Sequence, residues 1–475
     1  MNKKNIFFAL LLIVVLFFIQ FNITGWVTRI ISSSSDTNEL YIRNSHGFHW
    51  EPTGANIQLA IDNTSDLGGG TVSLPAGTLV PTSTIYLRDN VRLIGRGIGV
   101  TIIKAENNYG GTIIRTSSGS RQYNITVSDL TIDGNYVMGN PLYLHSASNV
   151  IVERVHARRS TSNGFGVFGN CEKVFMTKCI ASELQGDSYE GFAINSAWDS
   201  VFSNLIAYDI DYMGMDFHTL HNCVLSNLIV RDSGMGIKFF GDPGEKGGNN
   251  VVTNVNIENG GITGSFGLWI KREYNSSFTN INVRGDRGIV LDGSNDINLN
   301  NFYVESSENP GLHISSHIHG CERLNIANGI VINRGSTGAF YANSIKDSVF
   351  SNIQFFNASN YNNLANAENV VIKDCSFVNG NERGLIVRNS DRVIVSDSEF
   401  KNNNGAGIWI YGSDGPCNDF IISDNLITEN NAGIKVDAFA HDNYVITNNV
   451  LTGNSGQALD DGGTGSNKIV GENLA

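Results

Sequence analysis

The chain has 475 residues, with 52 Gly against 7 Pro and a formal net charge of −13. Its 41% hydrophobic content excludes a wholly disordered chain, and its acidic balance excludes nucleic acid as a partner, because phosphate binding needs basic surface. An acidic polysaccharide meets the same overall repulsion, so it would need a local basic patch or a bridging cation such as Ca2+.

Lys3 and Lys4 precede an apolar run from Ile6 to Ile19, which continues through Gln20 and Asn22 to Ile31 without an A-x-A cleavage site. Residues 1–31 therefore read as a signal peptide or an uncleaved signal anchor. That predicts a secreted or cell-surface protein, meeting a membrane only through this segment. Residues 32–46 read as a linker and 47–475 as one domain. Within it, residues 54–65 set Ala55, Ile57, Leu59, Ala60 and Ile61 mostly on one helical face. The expectation is a short helix covering the open first turn of a solenoid, whose strand edges need protection.

A repeat follows. Segments such as VSDLTI, FSNLIA, VTNVNI and ITNNVL align on their third residues, from Asp129 through Asn204 and Asn254 to Asn448. The fourteen aligned segments span 319 residues in 13 steps, about 24.5 per step. A period in this range with short strands marks a parallel β-solenoid. A second lane carries Gly-apolar-x-apolar-x strands, among them GFAIN (191), GMDFH (214), GIKFF (236), GLWIK (267) and GIVLD (288). The first and third residues after Gly point inward, the second and fourth outward. Gly is expected to supply the turn conformation, and the Asn/Asp lane to stack along the axis. The six Cys show no CxxC spacing, and the repeat places Cys179, Cys223 and Cys375 in the core. The pattern resembles the right-handed parallel β-helix of the pectate-lyase-like superfamily, over residues 47 to 470.

Outward residues at equal positions in successive turns are neighbours. One lane reads Ala193, Asp216, Lys238, Trp269, Val290; the other reads Asn195, His218, Phe240, Lys271, Asp292. Asp216, His218, Lys238 and Lys271 thus converge, with Arg272 beside them, Trp269 and Phe240 as apolar platforms and Tyr212 in the preceding turn. Residues 231–290 hold seven basic and six acidic residues, less acidic than the rest. The loop at 240–250 would wall one side. This set suits proton abstraction beside a carboxylate: Lys238, Lys271 or Arg272 neutralise a uronate, His218 acts as base and Tyr212 as acid.

YMGMDFH (212–218) is similar to the Tyr-Gly-Phe-Asp-Pro-His motif of mannuronan C5-epimerases, as GGGTVSLPAGT and SDLTIDGN are to the start of their catalytic module. The resemblance implies active-site roles for Asp216, His218 and, across one inserted residue, Tyr212. Phe217 stands where that motif has Pro, and the motif lies two turns later than the family places it.

Three readings stay open: an epimerase or lyase on an acidic polysaccharide, a non-catalytic glycan-binding or structural surface protein, and a polygalacturonase-like hydrolase using Asp460 and Asp461. His317 and His319 offer metal-ligand chemistry without a carboxylate partner in the sequence, so no metal site is assigned.

Overall fold

Alternate residues of each strand turn inward, and that alternation closes the chain into a tube. The computed structural model describes residues 41–117, 119–137, 139–241, 247–258, 266–315, 320–412, 415–439 and 441–475. They form a right-handed parallel β-helix of about 16 turns. Successive turns pair in parallel and in register, for example Ile194 with Phe217, Phe217 with Phe239, Phe239 with Ile270 and Ile270 with Leu291. These residues are buried. Phe165 stacks on Phe192 with ring centroids 4.8 Å apart, and Phe217 on Phe239 at 5.1 Å. Each such buried ring contributes about 1.5–3 kcal/mol from removal of apolar surface.

All fourteen aligned lane residues, from Asp129 to Asn448, have φ between 51° and 60°. That left-handed conformation costs most L-residues roughly 1–2 kcal/mol, and least for Asn and Asp. Asn amides in the middle of the lane then bond along the axis: Asn227 Nδ2 donates to Asn204 Oδ1 at 3.1 Å, Asn254 to Asn227 at 3.0 Å and Asn280 to Asn254 at 2.9 Å. Where the lane carries Arg154, its guanidinium forks onto Asp129 of the turn before, with Nε–Oδ1 at 2.5 Å and Nη2–Oδ2 at 2.8 Å.

This corrects the expectation for the lane glycines. Gly214 and Gly236 do not take positive φ. A Cβ on Gly236 would lie 2.1 Å from the Gly267 carbonyl oxygen, and one on Gly214 2.4 Å from Val230 Cγ1. Glycine serves there for close approach between turns, and the left-handed corner belongs to the Asn/Asp lane.

A helix spans Gly54–Asp66 and packs on the first strands, with Thr53 Oγ1 accepting from Asn56 N at 3.3 Å as its N-cap. Ile57, Ala60, Ile61 and Thr64 face the core. Ala55 and Leu59 are exposed, contrary to expectation, because the buried i, i+3, i+4, i+7 stripe leaves them on the far side. Strand Ile42–Asn44 already pairs with His49–Trp50 and Gly70–Ser73, so residues 41–46 of the expected linker lie inside the folded unit. The expected signal segment lies outside the described residues. All six cysteines are buried and free, and burial pushes the Cys179 thiol up to about 12.

Candidate active site

Strand Val201–His221 buries Met215 and Phe217, which turns Asp216 and His218 outward. Pairing with Glu190–Trp198 sets Ala193 and Asn195 under them, and pairing with Val224–Phe240 sets Lys238 and Phe240 above. Phe266–Lys271 then adds Trp269 and Lys271, and Arg287–Asp292 adds Val290 and Asp292. Both outward lanes are in the order that the repeat dictates.

Lys238 Nζ lies 3.4 Å from Asp216 Oδ2, and both side chains are about four-fifths buried, at 21% and 17% exposure. Asp216 Oδ1 is buried and makes no hydrogen bond among the described residues. A second carboxyl group stands close by. Burial and then the Asp216 charge push Glu190 up to about 7, while Lys238 works in the opposite direction. Burial, Glu190 and Asp216 also raise the Tyr212 phenol. Two carboxyl groups, a phenol and an ammonium therefore share one electrostatic neighbourhood.

Glu190 was not among the residues expected from sequence. Its signal was its slot: it pairs with Met213, which pairs with Met235, so an acid occupies a position that is apolar in the next two turns.

His218 lies beside this group. Its Nδ1 is 3.2 Å from the Asn195 amide nitrogen, and its ring is 4.5 Å from that of Phe240. Lys238 and Lys271 stand 4.9 and 5.5 Å from the Phe240 centroid, and the Arg272 guanidinium 5.6 Å. Trp269 lies 4.8 Å from Lys271 Nζ and stacks face to face on Phe266 at 4.4 Å, so one indole face is already covered. Lys271 is also 3.6 Å from Asp292 Oδ2. The structure thus gathers all seven sequence-derived residues into one patch of cations held over aromatic rings.

Other candidates are placed elsewhere. Asp461 accepts from the Tyr444 hydroxyl at 2.6 Å and from Lys468 Nζ at 2.9 Å, and it lies far along the axis from Asp216. Residues 242–246 of the expected wall, and His317 and His319, lie outside the described residues. Among the described residues, no three His, Cys, Asp or Glu side chains converge as a cation cage would need.

Two family models match the chain: the right handed beta helix region over residues 315–474, and "Rhamnogalacturonase A/epimerase, pectate lyase-like" over residues 51–264. The chain is a right-handed parallel β-helix. The second match covers Tyr212, Asp216, His218, Lys238 and Glu190. Among curated relatives, mannuronan C5-epimerase AlgE1 of Azotobacter vinelandii is 33% identical over 187 residues, covering 34% of this chain and 13% of that protein. Alginate lyase 7 of the same organism is 28% identical over 184 residues, covering 34% of this chain and 21% of its own length. The chain therefore spans only a minor part of these relatives. Among solved structures, pre-mature bacteriophage phi29 gene product 12 superposes with a TM-score of 0.52 at 14% identity, covering 89% of this chain and 71% of that one. This last likeness concerns the fold alone.

Proposed function

We infer that this protein removes the C5 proton of a uronate in an acidic polysaccharide, ending in epimerisation or in lyase cleavage. The observation that carries the reading is that Asp216, His218 and Lys238 turn outward together on adjacent turns, with Glu190 and Tyr212 close enough to feel the Asp216 charge. The partial likeness to proteins named mannuronan C5-epimerase and alginate lyase supports it.

A uronate C5–H is weakly acidic, and removing its proton puts negative charge on the sugar carboxylate. Lys238 offsets that charge, with Lys271 and Arg272 beside it. Glu190, held near neutrality in its acid form, donates a hydrogen bond to the same carboxylate instead of repelling it. Asp216 holds the Lys238 ammonium in place. His218 takes the C5 proton at Nε2. That role needs Nδ1 to keep its proton and give it to an oxygen, which a half-turn of the Asn195 amide supplies, since amide oxygen and nitrogen are interchangeable in shape.

The C5 electron pair then has two fates. Protonation of C5 on its opposite face by Tyr212 gives the epimer. Expulsion of the oxygen at C4 forms a C4–C5 double bond, and the Tyr212 proton goes to the departing oxygen. Exchange of the C5 hydrogen in deuterated water, read beside ultraviolet absorbance of unsaturated ends, tests the reading and separates the two fates. The apolar run before residue 31 is consistent with action outside the cytoplasmic membrane.

A further inference from the structure

The outward lanes of the candidate site also run back toward the N-terminal end of the helix. The register carries the first lane from Asp216 through Ala193, Gly166 and Tyr143 to Arg115. Four turns at about 4.8 Å each set Arg115 about 19 Å from Asp216. Buried Leu142 and Leu144 flank Tyr143 and turn it outward, and buried Val167 does the same for Phe168.

Tyr143 and Phe168 lie nearly parallel, with centroids 5.3 Å apart and planes at 18°. The Arg115 guanidinium, from the turn before, stands 5.2 Å from the Tyr143 centroid. Both rings lean across Gly166: a Cβ there would lie 2.9 Å from Tyr143 Cδ2 and 3.0 Å from Phe168 Cε2. The next turn of that lane presents only the Ala193 methyl, and the turn after it the Asp216–Lys238 pair. The lane therefore drops to a shallow floor at Ala193, bounded by aromatic rings on one side and by the reaction centre on the other.

Arg115 Nε donates to the Thr116 carbonyl at 3.1 Å, and among the described residues the guanidinium meets no carboxylate. The first lane holds no acid between Arg115 and Asp216; Glu190, on the Ala193 turn, belongs with Asp216 at the reaction centre. A ring face orients a cation without using up its N–H donors, so the donors of Arg115 can still meet an anion.

We propose that the polyuronate chain leaves the reaction centre toward the N-terminal end of the helix, over Ala193 and against the Phe168 and Tyr143 rings, and that Arg115 binds the carboxylate of a sugar further along it. This rests on the function proposed above. The apolar faces of the sugars meet the rings, and affinity depends on chain length.

The test is calorimetric binding of a length series of oligouronates, on a His218→Ala background so that binding is read without turnover. Kd falls about tenfold or more once the oligomer spans about 19 Å, the gain of roughly one charge-assisted contact. Adding Arg115→Ala removes that fall and leaves Kd for shorter oligomers as it was, while Arg115→Lys retains part of it. Adding Phe168→Leu raises Kd for the long oligomers about threefold or more, with circular dichroism unchanged. On a carboxyl-reduced, neutral chain Arg115→Ala has no effect. An equal fall with length in the Arg115→Ala protein overturns the subsite. So does an unchanged Kd in Phe168→Leu, an equal loss on the neutral chain, or no polyuronate binding by any of these proteins. The catalytic reading is decided separately, by C5 deuterium exchange with wild-type protein, so each can fail while the other stands.

Discussion

The Asn195 amide lies 3.2 Å from His218 Nδ1, in register one turn below it. In the proposed reaction this contact sets which ring nitrogen faces the substrate. Asn195→Leu should therefore lower kcat about fivefold to tenfold, the worth of one hydrogen bond of about 1 kcal/mol, while leaving KM nearly unchanged. Asn195→Asp keeps an oxygen at Nδ1 and should restore most of the rate. Steady-state kinetics on a polyuronate check both variants; a loss in Asn195→Leu confined to KM would remove Asn195 from the positioning role.

His218→Ala should fold normally and lose activity by at least about a hundredfold, the lower range for a general base. Parallel circular dichroism spectra would establish that the loss is chemical. Full activity in this variant would put the base elsewhere.

Glu190 gives a pH dependence with a definite sign. Its acid form persists to about pH 7, and the proposed role uses that form. Activity should fall as pH rises through about 7. Glu190→Gln, a permanent hydrogen-bond donor, should flatten that limb of the kcat/KM profile. An unchanged limb in the variant would assign it to another group.

Glu273 gives the corresponding test of stability. Burial pushes this carboxyl up to about 7, opposed by donors from Ser276 and Asn250 at 2.7 and 2.6 Å. A raised folded-state value means the folded protein binds the proton more tightly than the unfolded chain. Its stabilisation is complete below the unfolded value of a carboxylic acid and is lost as pH rises through about 7. Tm should therefore drop between pH 5 and pH 8. Glu273→Gln keeps Oε1 for both donors and should lose much of that drop. A wild-type Tm that rises over this interval would contradict the assignment.

The corner lane makes a conformational prediction. Asn254 has φ of 57° and bonds to Asn227 below and Asn280 above. Asn254→Ala should cost about 1 kcal/mol or more, and Asn254→Gly less, because Gly enters the left-handed region freely. Urea unfolding of the two variants ranks them; equal losses would mean that the hydrogen-bond ladder, not the backbone, governs the position.

Much of this architecture was legible in the sequence because a fixed period converts position into place. Knowing the step, Asp216 must stand beside Lys238, and His218 beside Phe240. The glycines were misread for a physical reason: close packing and positive φ both demand the absence of a Cβ, and a sequence does not separate them. Leu59 misled because five small or apolar residues in a row of seven do not all fit one helical stripe. Glu190 was missed because its importance comes from burial and from the charge of Asp216 on the next turn, while its own strand carries no motif. The Lys271–Asp292 contact was already implied by lane order, and it divides the work of the two lysines: Lys238 faces the carboxyl pair, while Lys271 is partly neutralised.

The most direct measurement is C5 hydrogen exchange on a panel of polyuronates in deuterated water, with His218→Ala alongside the wild type. The account predicts deuterium at C5, or unsaturated chain ends, with wild-type protein on at least one polyuronate and at least about a hundredfold less with the variant. Folded wild-type protein that yields neither product on any polyuronate would contradict it.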